Sequence, residues 1–166
     1  MAGFHLAQAN IARIVHEGID APQMADFVAK LAPVNELAER SPGYVWRLKD
    51  DAGNDATSVP VFDGDPHVII NMSVWQSLDH LFEFAYKTVH AKLIRDRQKW
   101  FEPVEGIANM ALWWIAEGHQ PTVEEALARM RRLTESGPTP EAFVFSLPFD
   151  AGGRPFVRQW PEKDCA

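Results

Sequence analysis

His90 carries the side chain best suited to proton transfer in this sequence. An imidazole with an ordinary pKa near 6.5 both takes up and releases protons around neutral pH. Tyr86, one helical turn earlier, could orient the ring. At 100° per residue, Asp79, Glu83, Tyr86, His90 and Arg97 fall on one narrow stripe beside an apolar face. Read as chemistry, the stripe puts a general acid or base at the rim of a core. Read as structure, it is a solvated flank laced with ion pairs such as Glu83 with Lys87.

A second polar set lies on strand-like segments. Gln8 and Asn10 alternate on one, Asn71 and Ser73 on the other, and both segments read as central and buried. An unpaired buried amide costs about 1–3 kcal/mol, so these side chains either bond one another across strands or polarise a ligand. On the second reading Asn10 joins His90 and Tyr86 as catalytic, while Gln8 and Asn71 bind substrate. Trp75 and Trp113 would form an apolar wall for a planar molecule, or else they pack a core or an interface. Trp113 and Trp114 are adjacent, so they must face opposite sides of a strand. Arg97, with Arg47, could hold a carboxylate or an oxyanion, or sit in a surface salt bridge.

No metal site is expected, because the six histidines show no paired ligand spacing. His80 and His90, on one helix, would point about 80° apart. No cofactor is predicted, and a lone haem-ligating histidine stays open.

The elements that must position these groups follow from periodicity. Residues 4–15 read as a strand with Leu6, Gln8 and Asn10 on one face and Ala7, Ala9 and Ile11 on the other. Met24, Phe27, Val28, Leu31, Leu37 and Ala38 give a helical stripe that Pro33 should kink or interrupt. Residues 44–48 read as a short strand with Tyr44, Trp46 and Leu48 on one side and Val45 and Arg47 on the other. Pro60, Gly64 and Pro66 mark a loop, and residues 67–75 a central strand. A helix starts near Ser77 and is expected to run toward Phe101 on Leu78, Leu81, Phe82, Ala85, Val89 and Leu93.

Residues 109–115 (NMALWWI) read as a buried strand. The run TVEE at residues 122–125 is a capping box opening a last helix, with Glu125 set to pair with Arg129 and Gly137–Pro138 as its stop. A final strand is expected at residues 142–147. The order gives an α+β fold, a ferredoxin-like split βαβ sandwich with a C-terminal helix and strand extension. It forms one domain over residues 1–147, followed by a Pro- and Gly-rich tail at 148–166.

The segments LAQAN at residues 6–10, SVWQS at 73–77, RDRQKWF at 95–101, LWW at 112–114 and GHQPTVEEALARM at 118–130 together resemble an uncharacterised bacterial domain family of unknown function. That family is similar to the antibiotic-biosynthesis monooxygenase group of dimeric α+β barrels. The resemblance spans residues 4–147. It implies a ferredoxin-like protomer whose sheet pairs with a second copy to close a barrel, with a pocket between sheet and helices. Relatives of this fold include cofactor-free oxygenases, haem-degrading enzymes, cyclases and isomerases, so the fold leaves the reaction open. The haem-degrading members use an asparagine on the first strand and a tryptophan and a histidine on the second helix. Asn10 matches the first, Phe84 stands near the tryptophan position, and His90 falls several residues early. A homodimer is expected on physical grounds too, because helices on one side of a four-stranded sheet leave the other face needing cover.

Bulk properties narrow the setting. With 166 residues, 46% hydrophobic and 23% charged, the chain is one ordinary globular domain. A net charge of -7 disfavours nucleic acid, whose phosphates demand a basic surface. Cys165 is the single cysteine, so no internal disulfide forms and a reducing cytoplasm fits best. No apolar run approaches the roughly 20 residues that span a bilayer, and no secretory signal opens the chain, so no membrane association is expected. The resulting expectation is a small-molecule enzyme of monooxygenase-like or isomerase/cyclase type, acting on an apolar or aromatic substrate. The alternative is a non-catalytic ligand-binding or interaction module.

Overall fold

The computed structural model describes residues 3–88 and 90–157, His90 by its backbone alone. Five strands form one antiparallel sheet: β1 (Phe4–Ile14), β2 (Tyr44–Arg47), β3 (Val68–Trp75), β4 (Phe101–Glu102) and β5 (Met110–Ala116). β1 lies between β3, from Leu6 opposite Trp75 to Arg13 opposite Val68, and β5, from Phe4 opposite Ala116 to Asn10 opposite Met110. The two-residue β4 continues the β5 side, opposite Arg13 and Ile14. β2 pairs only with the outer side of β3. The order β2-β3-β1-β5 is ferredoxin-like. β1 and β2 are linked through helix α1 (Ala25–Arg40), with β3 between them. β3 and β5 are linked through α2 (Leu78–Lys87) and α3 (His90–Asp96), with β1 between them.

The sheet is open, not closed into the expected barrel. One face of β1 (Ala7, Ala9, Ile11) shares an apolar cluster with Ile70, Met72 and Val74 of β3 and Ala111, Trp113 and Ile115 of β5. This is the face that a second copy was expected to cover. Helix α4 (Val123–Ser136) lies on it instead, through Ala126, Leu127, Met130 and Leu133, helped by Val104, Val59, Val61 and Phe62 from loops. Each buried Met, Val or Ile there contributes about 1.5–3 kcal/mol, all from within one chain. The premise of the barrel and of the homodimer, an apolar face left bare, is therefore absent.

The expected C-terminal strand is also replaced. Residues 142–147 make only isolated bridges, among them Phe143 to Leu112 with backbone bonds of 2.8 and 2.9 Å. The following segment folds back on the opposite side of the sheet. Phe149 and Phe156 pack with the cluster of Leu6, Trp75 and Leu112, and the Trp114 indole donates to the Phe149 carbonyl at 2.8 Å.

Two local departures reset which side chains share a face. A bulge in β2 puts Tyr44 opposite Trp75 but Trp46 opposite Val74. Tyr44 therefore packs on the helical face, while Trp46 and Leu48 join the α4 side and Arg47 stands beside Ser73. The long second helix breaks at Thr88, whose backbone is extended (φ -117°, ψ -175°) and whose hydroxyl donates to the Phe84 carbonyl. A threonine that bonds back to the preceding turn, next to another β-branched residue, is a weak point for a helix. The continuous wheel from Asp79 to Arg97 therefore does not exist. α2 ends at Lys87, α3 runs His90–Asp96, and Arg97 falls in a 3-10 turn. By contrast α1 runs through Pro33.

Among the described residues no helix is long and apolar enough to cross a membrane.

Candidate functional site

The face of β1 and β3 that meets α1, α2 and α3 is covered at its two ends and open in the middle. At one end Leu6, Trp75 and Leu112 pack with Leu78, Leu81, Phe82 and Phe84 of α2 and Ala38 of α1. At the other, Ile14 and Ile69 pack with Met24 and Trp100, joined by Phe27 of α1 and Leu93 of α3. Between these clusters lie Gln8 and Ser73, opposite one another, and Asn10 and Asn71, opposite one another. Asn10 and Asn71 are exposed, Gln8 is half-buried and Ser73 is buried. Exposure at the centre of a sheet, on its helical face, means that the helices part there. The result is a trough with a polar floor and apolar ends.

The floor is organised by hydrogen bonds. The Gln8 amide nitrogen donates to Asn71 Oδ1 at 2.7 Å and to Ser73 Oγ at 2.8 Å. The Trp75 indole also donates to Ser73 Oγ, at 2.9 Å. The Asn10 side chain makes no hydrogen bond to the described residues. Strand alternation alone brings these polar groups together. Their mutual bonding satisfies the buried ones and leaves Asn10 and part of the Asn71 amide facing solvent.

One wall comes from α1. Phe27, Leu31 and Asn35 line a hollow of about 60 Å³ with Ile69 and Asn71, closed at the side by Arg47, Leu48 and residues 55–57. Within α1 itself, every apolar residue of this stripe except Ala38 is only partly buried or exposed, while Met24, just before the helix, is buried. Asn35 interrupts the stripe four residues after Leu31, a sequence signal for this wall that periodicity read for apolar residues alone passes over. A larger depression, about 350 Å³, runs along residues 44–49 of the exposed β2 edge. It has a single wall and does not enclose a ligand.

The remaining expected site residues divide between the trough and the core. Trp75 is fully buried, stacked on Phe84 (centroids 5.0 Å, 25° between planes) and edge-on to Tyr44 at 5.8 Å. It supports the floor through Ser73. Trp113 is fully buried on the other face of the sheet, its indole donating to Glu125 Oε1 at 3.0 Å. Tyr86 is half-buried against Phe82 and Phe145 at 4.9 and 5.4 Å. Arg97 is exposed. The backbone of His90 opens α3, where the chain passes from the cluster holding Phe84 to the one holding Leu93. Its side chain lies outside the described residues. Phe84, expected near the tryptophan position of the haem-degrading proteins, is buried in the Trp75 stack.

Charge in and near the trough is compensated. The Arg47 guanidinium donates to Glu39 Oε1 at 2.9 Å and to the Asn54 carbonyl at 3.0 Å, tying β2 to α1 and to the loop. The Arg47 hydrogen bond holds the Glu39 carboxyl below the usual range, and Lys49 assists at 3.7 Å. Burial pushes the Tyr44 hydroxyl up. On the far face, burial raises the Glu125 carboxyl, but hydrogen bonds from His119 (2.7 Å) and Trp113 outweigh it and the net shift is downward. Glu125 thus bonds His119 and Trp113 in place of the expected Arg129, which donates to the Glu141 carbonyl. The Glu83–Lys87 ion pair forms at 2.8 Å.

Five histidines have described side chains, and each has a partner: His5 with Glu117, His16 with the Lys99 carbonyl, His67 with the Glu17 carbonyl, His80 with Ser77 and His119 with Glu125. Among the described residues no group of three or more His, Cys, Asp or Glu side chains is placed to hold a metal ion.

A family model described as a domain of unknown function, DUF3291, matches residues 5–159. No curated protein matches the chain. Among solved structures, a Nitrosomonas europaea protein of unknown function is 14% identical, with 74% of this chain and 95% of that one covered and a TM-score of 0.40. A supposed antibiotic biosynthesis monooxygenase from the same organism is 15% identical over 72% and 92%, with a TM-score of 0.40. A supposed monooxygenase from Shewanella loihica is 14% identical over 74% and 99%, with a TM-score of 0.33.

Proposed function

The chain belongs to the DUF3291 family, and from that premise we propose that it binds a small molecule in the trough between the two apolar clusters and acts on it by proton transfer. The observation that carries this reading is the exposed polar row, Asn10 and Asn71 with Gln8 beside them, at the centre of a sheet face that is apolar at both ends. Folding alone would favour apolar residues there and closed helices above them. An apolar or aromatic substrate would lie across the floor with its polar edge on the amides and its body between the ends.

His90, at the start of α3, is the general base or acid. It removes a proton beside a substrate carbonyl, and Asn10 and Asn71 donate to the oxygen on which charge develops. Return of the proton to another atom gives an isomerisation or cyclisation. Attack of molecular oxygen on the same anion would begin a monooxygenation. Tyr86 positions the second helix against Phe145, and Arg97 stands exposed beyond α3.

The test is native mass spectrometry and an absorption spectrum of freshly purified protein, followed by turnover of any recovered ligand by wild type and His90→Ala. A recovered ligand that wild type converts and His90→Ala does not supports catalysis. A ligand bound equally by both and converted by neither favours a binding module. Absence of a ligand, together with no binding across a fragment library, argues against the trough as a site.

A further inference from the structure

The hydrogen-bond pattern of the floor limits which ligand it accepts. Gln8 Nε2 spends both its hydrogens, on Asn71 Oδ1 and Ser73 Oγ, so Gln8 Oε1 is an unspent acceptor. Asn71 has used its oxygen and keeps its amide hydrogens. Ser73, 8% exposed, accepts from Gln8 and from the Trp75 indole, which leaves its hydroxyl hydrogen to donate. Asn10, across from Asn71, offers both a donor and an acceptor. Exchanging the nitrogen and oxygen of Gln8 and Asn71 preserves the network and still leaves one donor and one acceptor side by side.

On the α1 side the lining holds two charged side chains, Arg47 and Asp55, and both are engaged within the protein. The four floor side chains are neutral. Arg47 is engaged by Glu39 and by the Asn54 carbonyl. The Asp55 carboxylate accepts from the backbone and hydroxyl of Thr57. An anionic ligand would have to displace the Glu39–Arg47 pair.

Resting on the reading above, we propose that the trough selects an uncharged, planar ligand with a carbonyl directly beside an N–H or O–H, the edge of a lactam or a hydroxy-ketone. Such an edge gives and receives one hydrogen bond at once, matching the adjacent acceptor and donor of Gln8 and Asn71. Its apolar body meets Ile69, Met110, Phe27 and Leu31, which flank the polar row.

Three probes of similar size separate the possibilities: 2-quinolone, a neutral lactam; naphthalene, with no polar edge; and quinoline-2-carboxylate, an anion. Binding is read from the side-chain amide NMR signals of Gln8, Asn10 and Asn71 during titration. The expected result is that 2-quinolone shifts these signals and that naphthalene binds at least about tenfold more weakly, the effect of about one hydrogen bond. Asn71→Asp keeps the oxygen that Gln8 uses but replaces the donor. It should weaken 2-quinolone at least about tenfold with an unchanged circular dichroism spectrum, whereas Glu135→Gln, exposed on α4, should not.

Naphthalene binding as tightly as 2-quinolone, or carboxylate binding more tightly at the same signals, overturns the ligand class and leaves the site standing. Failure of every probe to move these signals overturns the class and the site together.

Discussion

Asn10 and Asn71 stand directly opposite one another on the two central strands, and both are exposed. Two residues along, their neighbours Gln8 and Ser73 are bonded together and partly or fully buried. The polar row therefore has a supporting half and a presenting half, and mutation should separate the two.

Gln8→Leu removes the donor shared by Asn71 and buried Ser73, and should cost about 1–2 kcal/mol in urea denaturation. Asn10→Ala removes a side chain with no partner among the described residues, and should change stability by no more than about 0.5 kcal/mol while weakening ligand binding. An Asn10→Ala protein destabilised as much as Gln8→Leu would mean that Asn10 is structural.

Trp113 tests the other face. Trp113→Phe keeps most of the buried ring but leaves Glu125 without its indole donor, so a loss of about 1–3 kcal/mol is expected. Ligand binding in the trough should not change, because Trp113 lies beneath α4. A loss of binding with intact folding would connect the two faces.

Acid should weaken the fold through Glu39 and Glu125. Both carboxyls are held below their ordinary values when folded. The stability they contribute is therefore present above the ordinary carboxylate pKa and is lost as pH falls through the lowered folded value. Urea midpoints measured from pH 7 to pH 3 should decline, and Glu125→Gln should flatten that decline. A variant with an unchanged acid limb would show that Glu125 does not carry the effect.

Gly43 has φ of 81°, and a Cβ there would sit 2.1 Å from Cγ of His80. Gly43→Ala should cost at least about 2 kcal/mol, from left-handed strain plus the displaced imidazole. The double variant with His80→Ala should recover the steric part, seen as a non-additive melting temperature. Additive losses would mean that the clash is relieved some other way.

The residues of the trough floor were legible from period-two alternation, since a strand fixes which side chains share a face wherever its partners lie. The alternative that these amides bond one another also proved right for Gln8, Asn71 and Ser73. The catalytic stripe was less legible. A wheel assumes unbroken helical phase, and the extended backbone at Thr88 breaks it.

Sequence alone thus determined strands β1, β2, β3 and β5, the helix starts at Ser77 and Thr122, and the polar identity of the central row, because caps and alternation are local properties of the chain. Tertiary structure decided what covers each face. That α4 takes the apolar side, that the bulge in β2 turns Trp46 toward it and Arg47 away, and that the helices part over Asn10 and Asn71 all depend on contacts between residues far apart in sequence. An apolar face must be buried, but its pattern is the same whether the cover is a second chain or a helix from its own.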